Sequence, residues 1–328
     1  MFQLPSSGCV RGVQVALAAL IGGLLSHGTY ADSLLLRHKI ATISTANLDR
    51  VARLYDHWLD YKVRERGRVS ADLAASWGAP KTAGKAYILL SADAAPDVYI
   101  RAVQGPAVRD YHPMTTFGWN AIEIIVEAPD ELRERLRNSP FKVLGEPKPL
   151  GGYPSIRAFQ VQGPDGEVLY LTAETGDRTK SILPSPGGPV GRVFIMVVAG
   201  PDIEKQLAWF SSSFDMARGT VRMRSVGVLR RAQSLMADEL LPLTTLRLAQ
   251  PGNLIELDGY SAKAGPRGSA KGKLPPGVAM ASFTVRSLEA LHIPFITPPA
   301  VHAGIGYAGH RSATARGPVG ELVELIEE

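Results

Sequence analysis

The sequence predicts an α+β protein built from four copies of a βαβββ module, and three observations carry that prediction. Four segments repeat one order: a strand, a helix, then three strands. Two of them share a motif at identical spacing: Tyr153-Pro-Ser-Ile-Arg157 before Gly163-Pro-Asp-Gly166-Glu167, and Tyr307-Ala-Gly-His-Arg311 before Gly317-Pro-Val-Gly320-Glu321. A third carries a related turn, Gln250-Pro-Gly-Asn253, before the alternating Leu254-Ile-Glu-Leu257. Gly-Pro-x-Gly makes a tight turn, and alternating apolar residues on both sides make that turn a hairpin.

Module one opens with a strand at 38–45. Asn47 is placed to cap a helix whose Leu48, Val51, Ala52, Tyr55, Trp58 and Leu59 share one face. Strands are expected at 61–69, 85–92 and 98–104. Module two has a strand at 119–126 and a helix at 129–136. Pro129 suits the first helical position, and Asp130 and Glu131 suit the positive end of the dipole. Its three strands fall near 141–148, 155–162 and 167–174. Module three runs from a strand at 192–198 through a helix at 201–210, which Ser211–Ser213 is expected to end. A helical insertion at 228–240 precedes its last strands at 244–249 and 253–259. Module four has a strand at 278–286, a short helix at 287–291 and a closing hairpin from 311 to 326. The aromatics Trp58, Trp119, Trp209, Phe210 and Phe214 sit in or beside apolar-patterned segments, where core packing is expected.

A Gly-Pro-Asp-Gly turn followed by an alternating final strand ending in Glu-Leu resembles the vicinal oxygen chelate superfamily of glyoxalase I, bleomycin-binding proteins and type I extradiol dioxygenases. The resemblance spans residues 35–328. It implies that modules pair into two half-barrel sheets whose concave faces each enclose a site. Read along the chain, modules one and two form one domain (35–175) and modules three and four another (191–328). A Pro/Gly-rich linker (176–190) separates them, and 261–276 connects the last two modules.

The chemistry implied by the resemblance rests on a divalent metal (Fe, Mn, Ni or Zn) held by first-strand and last-strand residues. Transferred onto this chain, the set is incomplete. Glu256 and Glu324 each stand four residues after a turn glycine, but the matching first-strand positions are Val193 and Met280. Module two offers Tyr170 and Ala121. Module one offers Arg101 or Gln104 and Ile40, with His38 two residues earlier on the same strand face. A weak metal site using Glu256, Glu324 and His38 is one reading, and no metal is the other.

Without a metal, an inward glutamate in an apolar cup gains a raised pKa and can move protons. Glu324, His310 and Arg311 are the candidate catalytic residues. Arg157 and Arg311 can hold a carboxylate or phosphate, or else pair with Glu167 and Glu321 on their own hairpins. Tyr153, Tyr307, Tyr170 and Gln104 complete the candidate ligand contacts. The reading is a lyase, isomerase or dioxygenase-like enzyme acting on a small oxygenated or aromatic molecule. The alternative is a non-catalytic small-molecule binder, monomeric or homodimeric.

The N-terminal 31 residues differ from the rest. Arg11 precedes an apolar run at 13–25, and Thr29-Tyr-Ala31 has small residues at its first and last positions. That is the pattern of a secretory signal peptide cleaved after Ala31, with a periplasmic or secreted product and no stable membrane anchor. The run is short of the roughly 20 residues that cross a bilayer. Cleavage removes Cys9, the only cysteine, and leaves a chain without disulfides. The net charge of +5 is modest and the lysines and arginines are scattered apart from Arg222, Arg224, Arg230 and Arg231 and the linker Lys263, Arg267, Lys271 and Lys273; neither group is interleaved with aromatics, which argues against nucleic-acid binding. No Gly-x-Gly-x-x-Gly, P-loop or Gly-x-Ser-x-Gly motif is present.

Overall fold

The computed structural model describes residues 33–108 and 110–328. Cys9 and the signal-peptide and Ala31 cleavage readings lie outside them. Module one comprises β1 (Leu35–Thr45), α1 (Leu48–Leu59), β2 (Tyr61–Arg68), α2 (Ala71–Ser76), β3 (Ala86–Ala92) and β4 (Tyr99–Gln104). Module two comprises β5 (Gly118–Val126), α3 (Pro129–Arg135), β6 (Lys142–Leu150), β7 (Tyr153–Gln162) and β8 (Val168–Glu174). Module three comprises β9 (Val190–Gly200), α4 (Ile203–Phe214), β10 (Arg222–Arg224), α5 (Gly227–Ala232), β11 (Leu241–Arg247) and β12 (Leu254–Gly259). Module four comprises β13 (Gly277–Val285), β14 (Ala300–Val301), β15 (Arg311–Arg316) and β16 (Leu322–Glu327).

Several elements differ from expectation for local reasons. Helix α4 runs through Ser211–Ser213 because Phe214 is buried in the core and rewards one more turn; the Ser212 hydroxyl donates back to the Trp209 carbonyl (3.3 Å). No α-helix forms at 287–291. The segment is short, Pro294 disfavours helical backbone at Ile293, and the Leu288 N–H is taken by the Glu327 carboxylate (3.0 Å). The 228–240 insertion condenses to the short α5, and α2, capped by Ser70, is too brief for periodicity to reveal.

The modules pair into two eight-stranded sheets. The first has the order β14-β15-β16-β13-β1-β4-β3-β2 and joins module four to module one. The second, β10-β11-β12-β9-β5-β8-β7-β6, joins module three to module two. Each sheet is thus assembled across the 176–190 linker, and not within 35–175 or 191–328. The seam in both is antiparallel, β1 on β13 and β5 on β9, so the two first strands of a pair lie side by side. Sequence alternation specifies each strand but does not say which first strand it meets.

One face of each sheet packs into a shared central core with α1, α3 and α4, through Val51, Tyr55, Leu132, Leu207, Phe210 and Phe214. Trp119 Nε1–H donates to the Leu322 carbonyl (2.7 Å) and Tyr61 OH to the Gly191 carbonyl (2.8 Å), which ties the sheets together. The opposite faces are two separate cups, one lined by Ile40, Trp77, Leu89, Met280 and Tyr307 and the other by Ala121, Tyr170, Val197 and Leu241.

The repeated Gly-Pro-x-Gly-Glu motif is a folding unit. Glu167 curls under its turn and accepts the Asp165 N–H (3.0 Å); Glu321 does the same with the Val319 N–H (2.9 Å). A Cβ at Gly163 or Gly317 would sit 1.9 or 2.0 Å from that glutamate's Oε1. Glycine is required there to leave room for the carboxylate.

Candidate functional site

The cup of the first sheet is closed on itself. Cross-strand register places Thr42 beside Arg101 and Ser282 beside Glu324, on the four central strands. Arg101 Nε donates to the Thr42 hydroxyl (3.0 Å) and Nη2 to Glu324 Oε2 (2.8 Å). Glu324 also accepts from Trp77 Nε1 (2.7 Å), Tyr307 OH (2.8 Å) and the Ser282 hydroxyl (2.5 Å). Tyr307 OH in turn accepts from Arg101 Nη1 (2.6 Å), and the guanidinium stacks over the Trp77 ring at 4.4 Å. Burial alone would raise the Glu324 pKa; the Arg101 charge and the donated hydrogen bonds outweigh it and hold the carboxylate below its usual value. With Arg101 and Glu324 both buried and both satisfied, a guanidinium stands where a cation-binding set would be needed. These residues do not fit a metal.

The second cup holds the opposite arrangement. Glu123 on β5 is beside Tyr170 on β8, and Glu256 on β12 is beside Val197 on β9. Asp258 lies two residues beyond Glu256 and shares its face. All three carboxyls are buried, at 1–2% exposure, and no arginine or lysine pairs with them in a described ion pair. Glu123 Oε2, Glu256 Oε2 and both Asp258 oxygens have no hydrogen-bond donor, while the Thr172 hydroxyl donates to Glu123 Oε1.

Burial pushes Glu123 up to about 7; the Thr172 hydrogen bond restrains the rise and the Asp258 charge adds to it. Asp258 is likewise raised by burial to about 7, held back by the neighbouring Glu256 carboxyl. Glu256 goes well above the usual carboxylate range, first through burial and then through the charges of Asp258 and Glu123. The Tyr170 hydroxyl is raised by burial and by the same three acids. The charge of Asp258 thus disfavours ionisation of Glu256, so the two buried acids do not ionise independently, and Glu123 is raised toward neutrality. Such a group can take up or release a proton at ordinary pH.

The remaining predicted residues lie elsewhere. His38 is buried between the sheets, its Nε2 donating to the Leu254 carbonyl (2.8 Å) and its pKa pushed down to about 3, chiefly by burial. It meets neither Glu256 nor Glu324. His310 is exposed beside β15. Arg311 pairs with Glu289 (2.7 Å) and Glu327 (2.8 Å), and Arg157 with Asp130 (2.5 Å), all toward the surface rather than with Glu321 or Glu167. Tyr153 packs at the edge of the second cup, and Gln104 is exposed at the end of β4. The structure therefore brings Tyr307 to Glu324 and Tyr170 to Glu256, and separates the rest.

Glu123 and Asp258 were not among the predicted residues. Their signal was present: Glu123 is the one charged residue in the apolar run 121–126, and Asp258 repeats the inward parity of Glu256. Among the described residues no group of three or more His, Cys, Asp or Glu side chains is placed to hold a metal ion. The second cup's carboxyls are close enough to couple but do not form such a cage.

No family model matches the sequence, and no curated protein matches it either. Solved structures do. The chain superposes on glyoxalase I from Zea mays with a TM-score of 0.59 at 17% identity, covering 89% of this chain and 92% of that one. A dioxygenase candidate from Bacillus subtilis gives 0.57 at 12% identity, over 89% and 85%. The chain has the vicinal oxygen chelate fold, as two curled half-barrel sheets.

Proposed function

We propose that this protein is an exported enzyme of the vicinal oxygen chelate fold that moves a proton on a small oxygenated molecule in the second cup. The observation that carries the reading is the buried, unpaired set of Glu123, Glu256 and Asp258. Evolution of a purely structural cup would favour apolar side chains there, because each lone buried carboxyl costs stability. The Glu256–Asp258 pair would exchange a proton with the substrate, and Glu123 would serve as the second acid–base group. Tyr170 would hydrogen-bond a substrate oxygen. An isomerase or a lyase fits that chemistry, since both need a proton taken from carbon and returned or lost.

The likeness to glyoxalase I and to the Bacillus protein supports the scaffold, not the substrate. Export rests on the N-terminal segment, and the degenerate metal site rests on Arg101 in one cup and on carboxyls without imidazole in the other. A non-catalytic binder is the second reading, favoured by the first cup, where the same scaffold has become fully satisfied structure.

The test is solvent-deuterium uptake by a panel of small α-hydroxycarbonyl compounds and catechols, read by mass spectrometry on the mature protein. Exchange that disappears in Asp258→Asn and Glu256→Gln supports the acid–base reading. Saturable calorimetric binding of a panel member without exchange or product would replace it with the binder. Plasma mass spectrometry of protein purified without chelators is expected to find well under one equivalent of transition metal. One equivalent, lost in Glu256→Gln, would overturn the metal-independent reaction.

A further inference from the structure

A cavity of about 350 Å³ opens at the rim of the first cup. Its floor is Ser44 on β1 and Val103 on β4, cross-strand partners one layer beyond the Thr42–Arg101 pair. Three lysines surround it: Lys81, Lys85 and Lys273, and no acidic residue lines it. Each is exposed, and none makes an ion pair among the described residues.

The lysines come from two parts of the chain fixed to one another. The Lys81 N–H donates to the Gly272 carbonyl (2.8 Å), which ties the turn Pro80–Thr82 to the 261–276 connection. The Lys85 N–H donates to the Thr82 carbonyl (3.1 Å) and the Lys273 N–H to the Ala270 carbonyl (3.0 Å). The backbone therefore holds the roots of the three lysines around one concavity. The Thr82 hydroxyl and the Gln104 amide add neutral donors to the lining. The volume lies within the range of small-molecule sites.

We infer that this cavity binds a small molecule carrying two or more anionic oxygens, a phosphate monoester or a polycarboxylate, through Lys81, Lys85 and Lys273. Compact ammonium groups on flexible stems suit a multiply charged oxyanion, whereas a single planar carboxylate is the group that arginine grips bidentately. The site lies in the opposite sheet from Glu123, Glu256 and Asp258, so it neither requires nor tests the acid–base reading.

Isothermal calorimetry with inorganic pyrophosphate and with citrate, on the full mature chain near 0.15 M salt, decides it. Saturable one-to-one binding by pyrophosphate alone assigns a phosphate ligand, by citrate alone a carboxylate ligand, and by both a general polyanion site. Lys81→Ala, Lys85→Ala and Lys273→Ala should each weaken binding roughly tenfold, since each removes a charge-assisted contact. Lys271→Ala, a neighbour outside the lining, should change it less than twofold. The altered side chains are exposed, and unchanged circular dichroism melts would verify folding. No heat with either probe, or equal binding by the triple alanine variant, overturns the inference.

Discussion

At the residue scale the two cups show opposite ways of keeping a glutamate inside a sheet. Glu324 is charged and fully satisfied; its loss should be costly because Arg101 would remain as an uncompensated buried cation. Glu324→Leu or Arg101→Leu is expected to cost about 3–5 kcal/mol, while replacing both by leucine should cost clearly less than the sum. Urea denaturation of the four proteins in a double-mutant cycle measures this, and additive losses would contradict the network. The second cup gives a pH signature. Glu123 and Asp258, with the turn residues Glu167 and Glu321, are all raised to about 7, mainly by burial. Unfolded, each would release its proton near pH 4. Between those values the folded state holds more protons, so stability is fully present at low pH and is lost as pH rises through 7. His38, depressed to about 3, works in the opposite direction only below its unfolded value near 6.5. Stability and melting temperature should therefore fall between about pH 4.5 and 7 and level off above that, and Asp258→Asn should flatten the fall in stability by roughly 1.4 kcal/mol per pH unit. Glu256, Tyr170 and Glu324 were legible from their distance to a turn glycine. Whether a neighbour would be Arg101 or a free acid was not, because that depends on which strands meet.

At the scale of elements the repeat is physical as well as sequential. Asn47 and Asp202 cap α1 and α4 in the same way, each accepting the N–H three residues on, from Arg50 (2.9 Å) and Lys205 (3.0 Å). Both helices end on an aspartate in left-handed backbone, Asp60 at φ 56° and Asp215 at φ 50°. Glycine tolerates that conformation better. Asp215→Gly should stabilise the protein by up to about 1 kcal/mol, whereas Asp60→Gly also gives up the paired contact with Arg135 and should gain less. Thermal melts of the two variants compare them directly, and an equal gain would remove Arg135 from the account. At the turns, Gly317→Ala forces the Glu321 carboxylate out from under the chain and should cost about 1–3 kcal/mol. Segments too short or too irregular to show a period were the least legible. The 292–310 segment, which delivers Tyr307 to Glu324, has no periodicity to read, and α2, which delivers Trp77, is one and a half turns long.

For the whole molecule, the pairing of modules one with four and two with three makes the chain a closed loop of dependencies. Cutting it at the 176–190 linker leaves β1 without β13 and β5 without β9, so each half would expose two unsatisfied central strands where the seams had been. The central core would divide as well, since Trp119 and Phe283 from different halves pack at 6.1 Å and Trp119 donates across to Leu322. A pairing of neighbours along the chain would predict the contrary, two halves that each fold. Residues 33–175 and 190–328 expressed separately should therefore be insoluble or molten, with weak near-ultraviolet dichroism. Mixed from denaturant, they should recover the native spectrum and elute as a one-to-one complex. Cooperative unfolding of 190–328 alone would mean that β9 and β13 can find other partners, and that the cross-linker seams are not what holds the two cups in shape.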